Sequence, residues 1–200
     1  MLIDEALTTT RAVRRGIDLR RPVTRGVIEQ CLRIAVQAPT AANRQDWRFV
    51  GIDDPGLKHT IADYYRAAST AYLERAPNTA DTESARFLAQ HIDRMPVLLL
   101  PCVNGRHSPS EHPARTASRY GSLYPAVWSF MLAARSRGLA TAFTTVHLAY
   151  EREVADLLGI PYEEVTQGCL VPVGYARRWF GPAPRRPVTE VTNWNRWRHG

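Results

Sequence analysis

Between Pro125 and Arg137 the chain is apolar on nearly every side, with Ala126, Val127, Trp128, Phe130, Met131, Leu132, Ala133 and Ala134 in close succession. A helix without a polar face cannot lie on a surface and must be enclosed by other elements. Pro125 suits the first turn of such a helix, and Gly138 its C-terminal stop. A chain of 200 residues can bury roughly 70% of its unfolded surface, which is enough to surround one central helix. No internal repeat is visible. The pattern predicts a single domain spanning 1–200.

The remaining elements follow from periodicity and punctuation. Residues 3 to 15 read as a short helix that Asp4 can cap. Thr24 can cap a second helix carrying Ile28, Cys31, Leu32 and Ala35 at i, i+3, i+4 and i+7, which ends before Pro39. Trp47 to Ile52 reads as a strand closed by the turn signal Asp53-Asp54-Pro55-Gly56. Helices are predicted from Gly56 to Glu74 and from Thr82 to Arg94. Val97 to Val103 is a buried strand in which Pro101 must sit where no ladder donor is needed. Asn104 to Gly121 is polar and long for a connector, so it reads as a mobile flap with Arg106, Arg115 or Arg119 available to an anion, an exposed linker being the alternative. Thr141 to Leu148 is strand-like, Tyr150 to Leu158 a helix closed by Gly159, and Cys169 to Tyr175 the last strand. The segment 176–200 reads as an extended tail whose Trp179, Trp194 and Trp197 need burial, which predicts that it reaches a partner subunit.

Composition narrows the function classes. The formal charge is +7, and Lys58 is the only lysine. The arginines are scattered rather than striped with aromatics, which favours phosphate-bearing small molecules over nucleic acid. No apolar run approaches the ~20 residues of a membrane span, and no secretory signal is apparent. Cys31, Cys102 and Cys169 are widely spaced without a Cys-x-x-Cys pair, so reduced thiols in a cytoplasmic protein are expected. His107, Glu111 and His112 lie in a polar stretch without a rigid helix to fix ligand geometry, so no metal site is expected. His147 has no nucleophile elbow to serve, and neither a Gly-x-Gly-x-x-Gly nor a Gly-Lys-Ser/Thr loop is present.

Two separated segments carry the functional signal. Thr10-Arg11-Ala12-Val13-Arg14-Arg15 places Arg11 and Arg14 on one face if helical, where guanidinium forks can grip a phosphate; ordinary solvent-facing charges are the alternative. Ala38-Pro39-Thr40-Ala41-Ala42-Asn43-Arg44-Gln45-Asp46-Trp47 sets small, hydroxylated and amide side chains just before a strand. A capped loop after a helix accounts for the same composition.

Together these segments resemble the FMN-dependent nitroreductase family, whose Arg-Ser-x-Arg element holds the flavin phosphate and whose Ala-Pro-Ser-x-x-Asn-x-Gln-Pro-Trp element lies along the ring and ribityl chain. Gly138-Leu139-Ala140-Thr141, Leu157-Leu158-Gly159-Ile160-Pro161, Val171-Pro172-Val173-Gly174-Tyr175 and Arg185-Arg186-Pro187-Val188-Thr189-Glu190-Val191 with Trp194 extend the resemblance over most of the chain. The resemblance implies an α+β fold, with helices around a mostly antiparallel central sheet, in an intertwined homodimer with FMN at the interface. It places Arg11, Ala12, Arg14 and Arg185 at the phosphate, and Pro39, Thr40, Ala41, Asn43 and Gln45 near the ring and ribityl chain. It also places Thr144 and Thr145 where a backbone amide faces flavin N5. Trp47 is expected in the core. Asp46 departs from the family's proline and Ala12 from its serine, and Thr145 and Val146 stand where many members have glycine.

The implied activity is hydride transfer from NADH or NADPH through flavin N5 to an electron-poor acceptor such as a nitroaromatic or quinone. No side-chain nucleophile is required, because the flavin carries the chemistry. A specialised flavoenzyme of small-molecule metabolism and a flavin-binding storage or sensing protein are the alternatives.

Overall fold

In the computed structural model, residues 2–178 and 181–197 are described. The apolar run predicted as a strand is β3 (Val97–Asn104), and it is buried on both faces because it occupies the middle of the sheet. Successive side chains on a strand point to opposite faces. Val97, Leu99 and Val103 therefore enter one core, and Leu98, Leu100 and Cys102 the other. The further strands are β1 (Ile17–Asp18), β2 (Trp47–Ile52), β4 (Leu139–Thr141), β5 (Val165–Gln167) and β6 (Val171–Ala176). Their order is β1–β6–β3–β2, with β4 paired to β6, β5 to β3, and every pair antiparallel. In register, Trp47 lies opposite Val103, and Val97 opposite Val173. A Cβ at Gly174 would come within 2.5 Å of Ile17 Cγ2, so only glycine lets β6 take β1 alongside.

Among the described residues, six α-helices cover this sheet: α1 (Ile3–Thr9), α2 (Arg25–Ala35), α3 (Pro55–Arg75), α4 (Ala80–His91), α5 (Pro113–Ser136) and α6 (Glu151–Leu158). Helices α2 and α5 share one core, where Ile28, Cys31 and Ala35 meet Ala126, Val127 and Phe130. On the opposite face Ile61 and Tyr65 of α3, Leu88 of α4 and Val154 of α6 fill the second core. Asp54 caps α3 by accepting the Leu57 N–H at 2.8 Å, with Pro55 in the first turn. Gly159 stops α6 at φ +66°, a left-handed conformation that glycine adopts without strain. The architecture is the expected α+β arrangement, and Trp47 is buried in the first core.

Several expectations are corrected. Helix α1 ends at Thr9, and Asp4 lies inside its first turn rather than capping it. The β-branched run Thr8-Thr9-Thr10 opposes continuation, and the Thr8 and Thr9 hydroxyls bond back to the Asp4 and Glu5 carbonyls at 2.6 Å. Arg11 and Arg14 are therefore not on a helix. Helix α5 begins at Pro113, twelve residues before the expected start, and Pro125 lies inside it. The polar composition of 113–121 is a solvated helical face rather than a flap, and the loop shrinks to about eight residues. Thr24 precedes α2 without a side-chain capping bond. The segment expected as a strand over 141–148 divides into β4, an isolated bridge from Thr144 to Leu170, and a 3₁₀ turn over Val146–Tyr150. Strands β1 and β5 are too short to leave a periodic signal. Trp179 lies outside the described residues, whereas Trp194 and Trp197 are each 80% exposed in the single chain.

All three cysteines are free and buried, and burial pushes the Cys102 thiol up to about 12. No helix among the described residues is long and apolar enough to cross a membrane.

Candidate functional site

The arginine segment is laid along the end of the sheet rather than presented on a helix. Val13 N–H donates to the Thr141 carbonyl at 2.8 Å, which fixes residues 11–15 beside β4. Arg11 is half-buried and its Nη2 donates to the Gly181 carbonyl at 2.5 Å, tying the start of the tail to this segment. Ala12 is exposed. Arg14 is half-buried, and among the described residues its guanidinium has no hydrogen bond or ion pair. Arg15 is different, because it pairs with Glu83 at 3.3 Å on the surface. A partly buried cation without a carboxylate is costly unless something anionic reaches it.

Arg14 leads directly to the next expected position. Its charge acts on Tyr65, a buried residue of α3 whose hydroxyl lies 2.9 Å from Thr144 Oγ1. Burial raises the pKa of the Tyr65 hydroxyl, against smaller opposing effects of the Thr144 hydrogen bond and the Arg14 charge. The backbone of Thr144 is spent in both directions on Leu170, at 3.0 and 2.7 Å. The side chain of Thr144 is thus turned into the protein, and the amide of exposed Thr145 is the next donor along the chain.

The Thr40 loop forms a second, separate group. Ala41 N–H donates to Ser122 Oγ of α5 at 3.0 Å, which anchors the loop on the central helix. Ala42, Asn43 and Gln45 have φ values of 51°, 52° and 55°. Asparagine tolerates the left-handed region, but Ala42 and Gln45 each store about 1–2 kcal/mol there, and such strain concentrates at ligand sites. Thr40 Oγ1 accepts the Gln45 N–H at 3.3 Å, and Gln45 Nε2 donates to Asn43 Oδ1 at 3.1 Å. Pro39 is exposed at the head of the loop, and Asp46, standing at the expected proline, pairs with Arg44 at 2.8 Å.

One chain does not bring the two groups together. Arg135 of α5 donates to Thr9 Oγ1 at 3.1 Å next to the arginine segment, whereas Ser122 holds the Thr40 loop. Those helix positions are thirteen residues apart, or about 20 Å along the axis. Arg185 is exposed, its only described side-chain bond a local one to the Pro184 carbonyl at 3.0 Å.

The family model described as "Nitroreductase family" matches residues 9–175 of this chain. The chain belongs to the nitroreductase family. Among the relatives is an NADH dehydrogenase of Thermus thermophilus, 28% identical over 190 residues, covering 86% of this chain and 87% of that protein. Iodotyrosine deiodinase 1 of Rattus norvegicus is 28% identical over 181 residues, covering 87% of this chain and 62% of the deiodinase. The chain therefore spans less than two-thirds of that relative. Among solved structures, oxidized iodotyrosine deiodinase bound to FMN and 3-iodo-L-tyrosine superposes with a TM-score of 0.77 at 22% identity, covering 98% of this chain and all of that one. A BluB-like flavoprotein from Clostridium difficile 630 gives 0.73 at 20% identity, with 98% and 100% covered. At these identities the structures establish the nitroreductase-like fold.

Nitroreductase motifs in the sequence lead to most of these residues but not to Tyr65 or Ser122, which look like ordinary core-side positions of α3 and α5. Asn43 hints at a left-handed loop, since asparagine tolerates that conformation; nothing in the sequence marks Ala42. The arginines expected on a flap are largely committed. Arg106 grips Glu151 through two bonds of 2.7 and 2.6 Å and reaches Tyr162 Oη at 2.8 Å. Arg119 donates to Glu111 at 2.7 Å and to the Gly105 carbonyl at 2.6 Å. His112 Nδ1 accepts the Ala114 N–H at 3.2 Å at the start of α5. No cluster of three or more metal-ligating side chains occurs among the described residues.

Proposed function

We propose that this chain is an FMN-dependent oxidoreductase that takes hydride from NADH or NADPH and passes it to an electron-poor acceptor such as a nitroaromatic or quinone. The observation that carries the reading is the half-buried guanidinium of Arg14, which has no carboxylate partner among the described residues and belongs to a segment that Val13 holds at Thr141, three residues before Thr144. The donor set fits the cofactor: guanidinium groups at Arg11 and Arg14 suit a phosphate, and an amide at Thr145 suits an electron-rich ring edge. When bound, the flavin supplies reversible hydride uptake at N5, so the chain need provide no nucleophile.

The protein works as a homodimer in this reading. Pro39, Thr40, Ala41, Asn43 and Gln45 stand about 20 Å along α5 from the arginine segment, so a second copy brings its loop to the first copy's arginines. Arg185 and the tail, held at Gly181 by Arg11, complete the phosphate end, with residues 176–200 reaching the partner. The enzyme is cytoplasmic, in keeping with three free, buried cysteines. The likeness to a deiodinase favours a second reading, a flavoenzyme dedicated to one small-molecule substrate, and the bulk of Thr145 and Val146 suits a narrowed pocket.

One absorbance spectrum of the purified protein before and after denaturation tests the cofactor. A yellow protein releasing close to one FMN per chain is expected. A colourless protein that takes up no added FMN overturns the proposal. Steady-state NADPH and NADH oxidation with a quinone then separates an enzyme from a storage or sensing protein.

A further inference from the structure

Around the first turns of α5 the cations are unequally committed. Arg44 is paired with Asp46 at 2.8 Å and Arg119 with Glu111 at 2.7 Å. The Arg119 hydrogen bond, with smaller help from His107 and Thr116, holds the Glu111 carboxyl below its ordinary value. Arg115 is exposed, and among the described residues its guanidinium has no hydrogen bond or ion pair. These side chains border one cavity of about 380 Å³, lined also by Asn104 and Ser118. Three guanidinium groups face two carboxylates there, and the two carboxylates are already satisfied. The surplus charge therefore resides on Arg115. The positive end of the 24-residue helix α5 adds to it.

The cavity is also placed beside the strained loop. Arg44 belongs to that loop, and Ala41 is anchored on Ser122, seven residues or about 10 Å along α5 from Arg115. A molecule with one end at the loop can set an acidic substituent in the cavity. A guanidinium presents paired donors suited to a phosphate or carboxylate. We propose that this cavity is an anion subsite of the hydride-exchange reaction, in which Arg115 receives a phosphate of the nicotinamide donor or a carboxylate of the acceptor. The inference rests on the flavin reading above.

The test uses the full-length, FMN-loaded protein and its Arg115→Ala and Arg115→Lys variants. KM and kcat are measured for NADPH, NADH, a neutral quinone and a carboxylated quinone. In Arg115→Ala the KM of an anionic partner should rise about tenfold, with kcat within twofold, the neutral quinone unchanged and lysine recovering part of the loss. A rise confined to the nicotinamide donors assigns the subsite to a phosphate; one confined to the carboxylated quinone assigns it to the acceptor. Equal KM values throughout, or a rise that includes the neutral quinone, overturn the subsite. Should the protein carry no flavin, calorimetry with 2′,5′-ADP and with benzoate still decides. Binding to the wild type that Arg115→Ala abolishes sustains the subsite without the flavin, and no binding of either overturns it.

Discussion

Tyr65 Oη and Thr144 Oγ1 lie 2.9 Å apart in the buried seam between α3 and the segment that follows β4. Each is the other's only described side-chain partner, so either single deletion leaves a buried hydroxyl unpaired. Tyr65→Phe and Thr144→Val should each cost about 1–3 kcal/mol of unfolding free energy. The double variant should cost less than the sum by roughly 1 kcal/mol. Urea unfolding of the four proteins measures this coupling, and strict additivity would remove the hydrogen bond from the account.

Arg14 and Arg15 are adjacent but differ in their surroundings, and the difference can be tested directly. Arg14→Ala should weaken FMN binding about 10- to 100-fold, because a charge-assisted hydrogen bond to phosphate contributes about 1.5–3 kcal/mol. The cofactor-free protein should lose less than about 0.5 kcal/mol, since no described partner is broken. Arg15→Ala, which removes only the exposed pair with Glu83, should leave FMN affinity unchanged. Titration of apo-protein by flavin fluorescence gives both numbers, and equal effects of the two substitutions would remove Arg14 from the phosphate site.

The elements legible in the sequence were those with long periodic or apolar runs. Val97 to Val103 read as a buried strand because both its faces are buried, and Ile28, Cys31 and Ala35 marked the inner face of α2. Proline misled in one place: Pro125 looked like a helix start but lies inside α5, with Pro113 at the true start. A proline allows both, and only the tertiary burial of Ser122 and Leu123 upstream of it distinguishes them. At the candidate site, the motif residues were expected from their spacing within the family resemblance. Tyr65 and Ser122 were not, since each acts through a single hydroxyl whose partner lies 79 or 81 residues away. The separation of the arginine segment from the Thr40 loop along α5 is likewise a property of packing.

The tail and the outer side of α5 bear on assembly. Trp194 and Trp197 are 80% exposed and Val188 72% exposed, and Trp128 on the central helix also reaches the surface. Large apolar side chains left bare in the single chain are the kind of surface that a partner copy would cover. Light scattering should give a dimer, with an interface above the ~2,000 Å² at which obligate interfaces begin. Truncation after Arg178 should yield monomer and release the flavin. A truncated chain that remains dimeric and yellow would contradict the tail's proposed role.

His147 follows Thr145 by two residues and is fully buried, with neither ring nitrogen completing a hydrogen bond although Gln167 faces the ring. Burial lowers its pKa to about 4, against weaker opposing effects of the Glu151 charge and Gln167. The folded protein thus holds the neutral ring, while the unfolded chain takes up a proton near the ordinary value of about 6.5. Unfolding therefore binds a proton throughout the window between these values. The stability associated with His147 is complete above pH 6.5 and is lost as pH falls towards 4, by an amount on the order of 3 kcal/mol. His147→Leu replaces an unpartnered ring by an apolar side chain and should flatten this dependence. The measurement is urea unfolding of both proteins at intervals from pH 7.5 to 4.5. Their stabilities should converge, or cross in favour of the variant, as the solution is acidified. Curves that stay parallel would show that the buried ring does not exclude the proton.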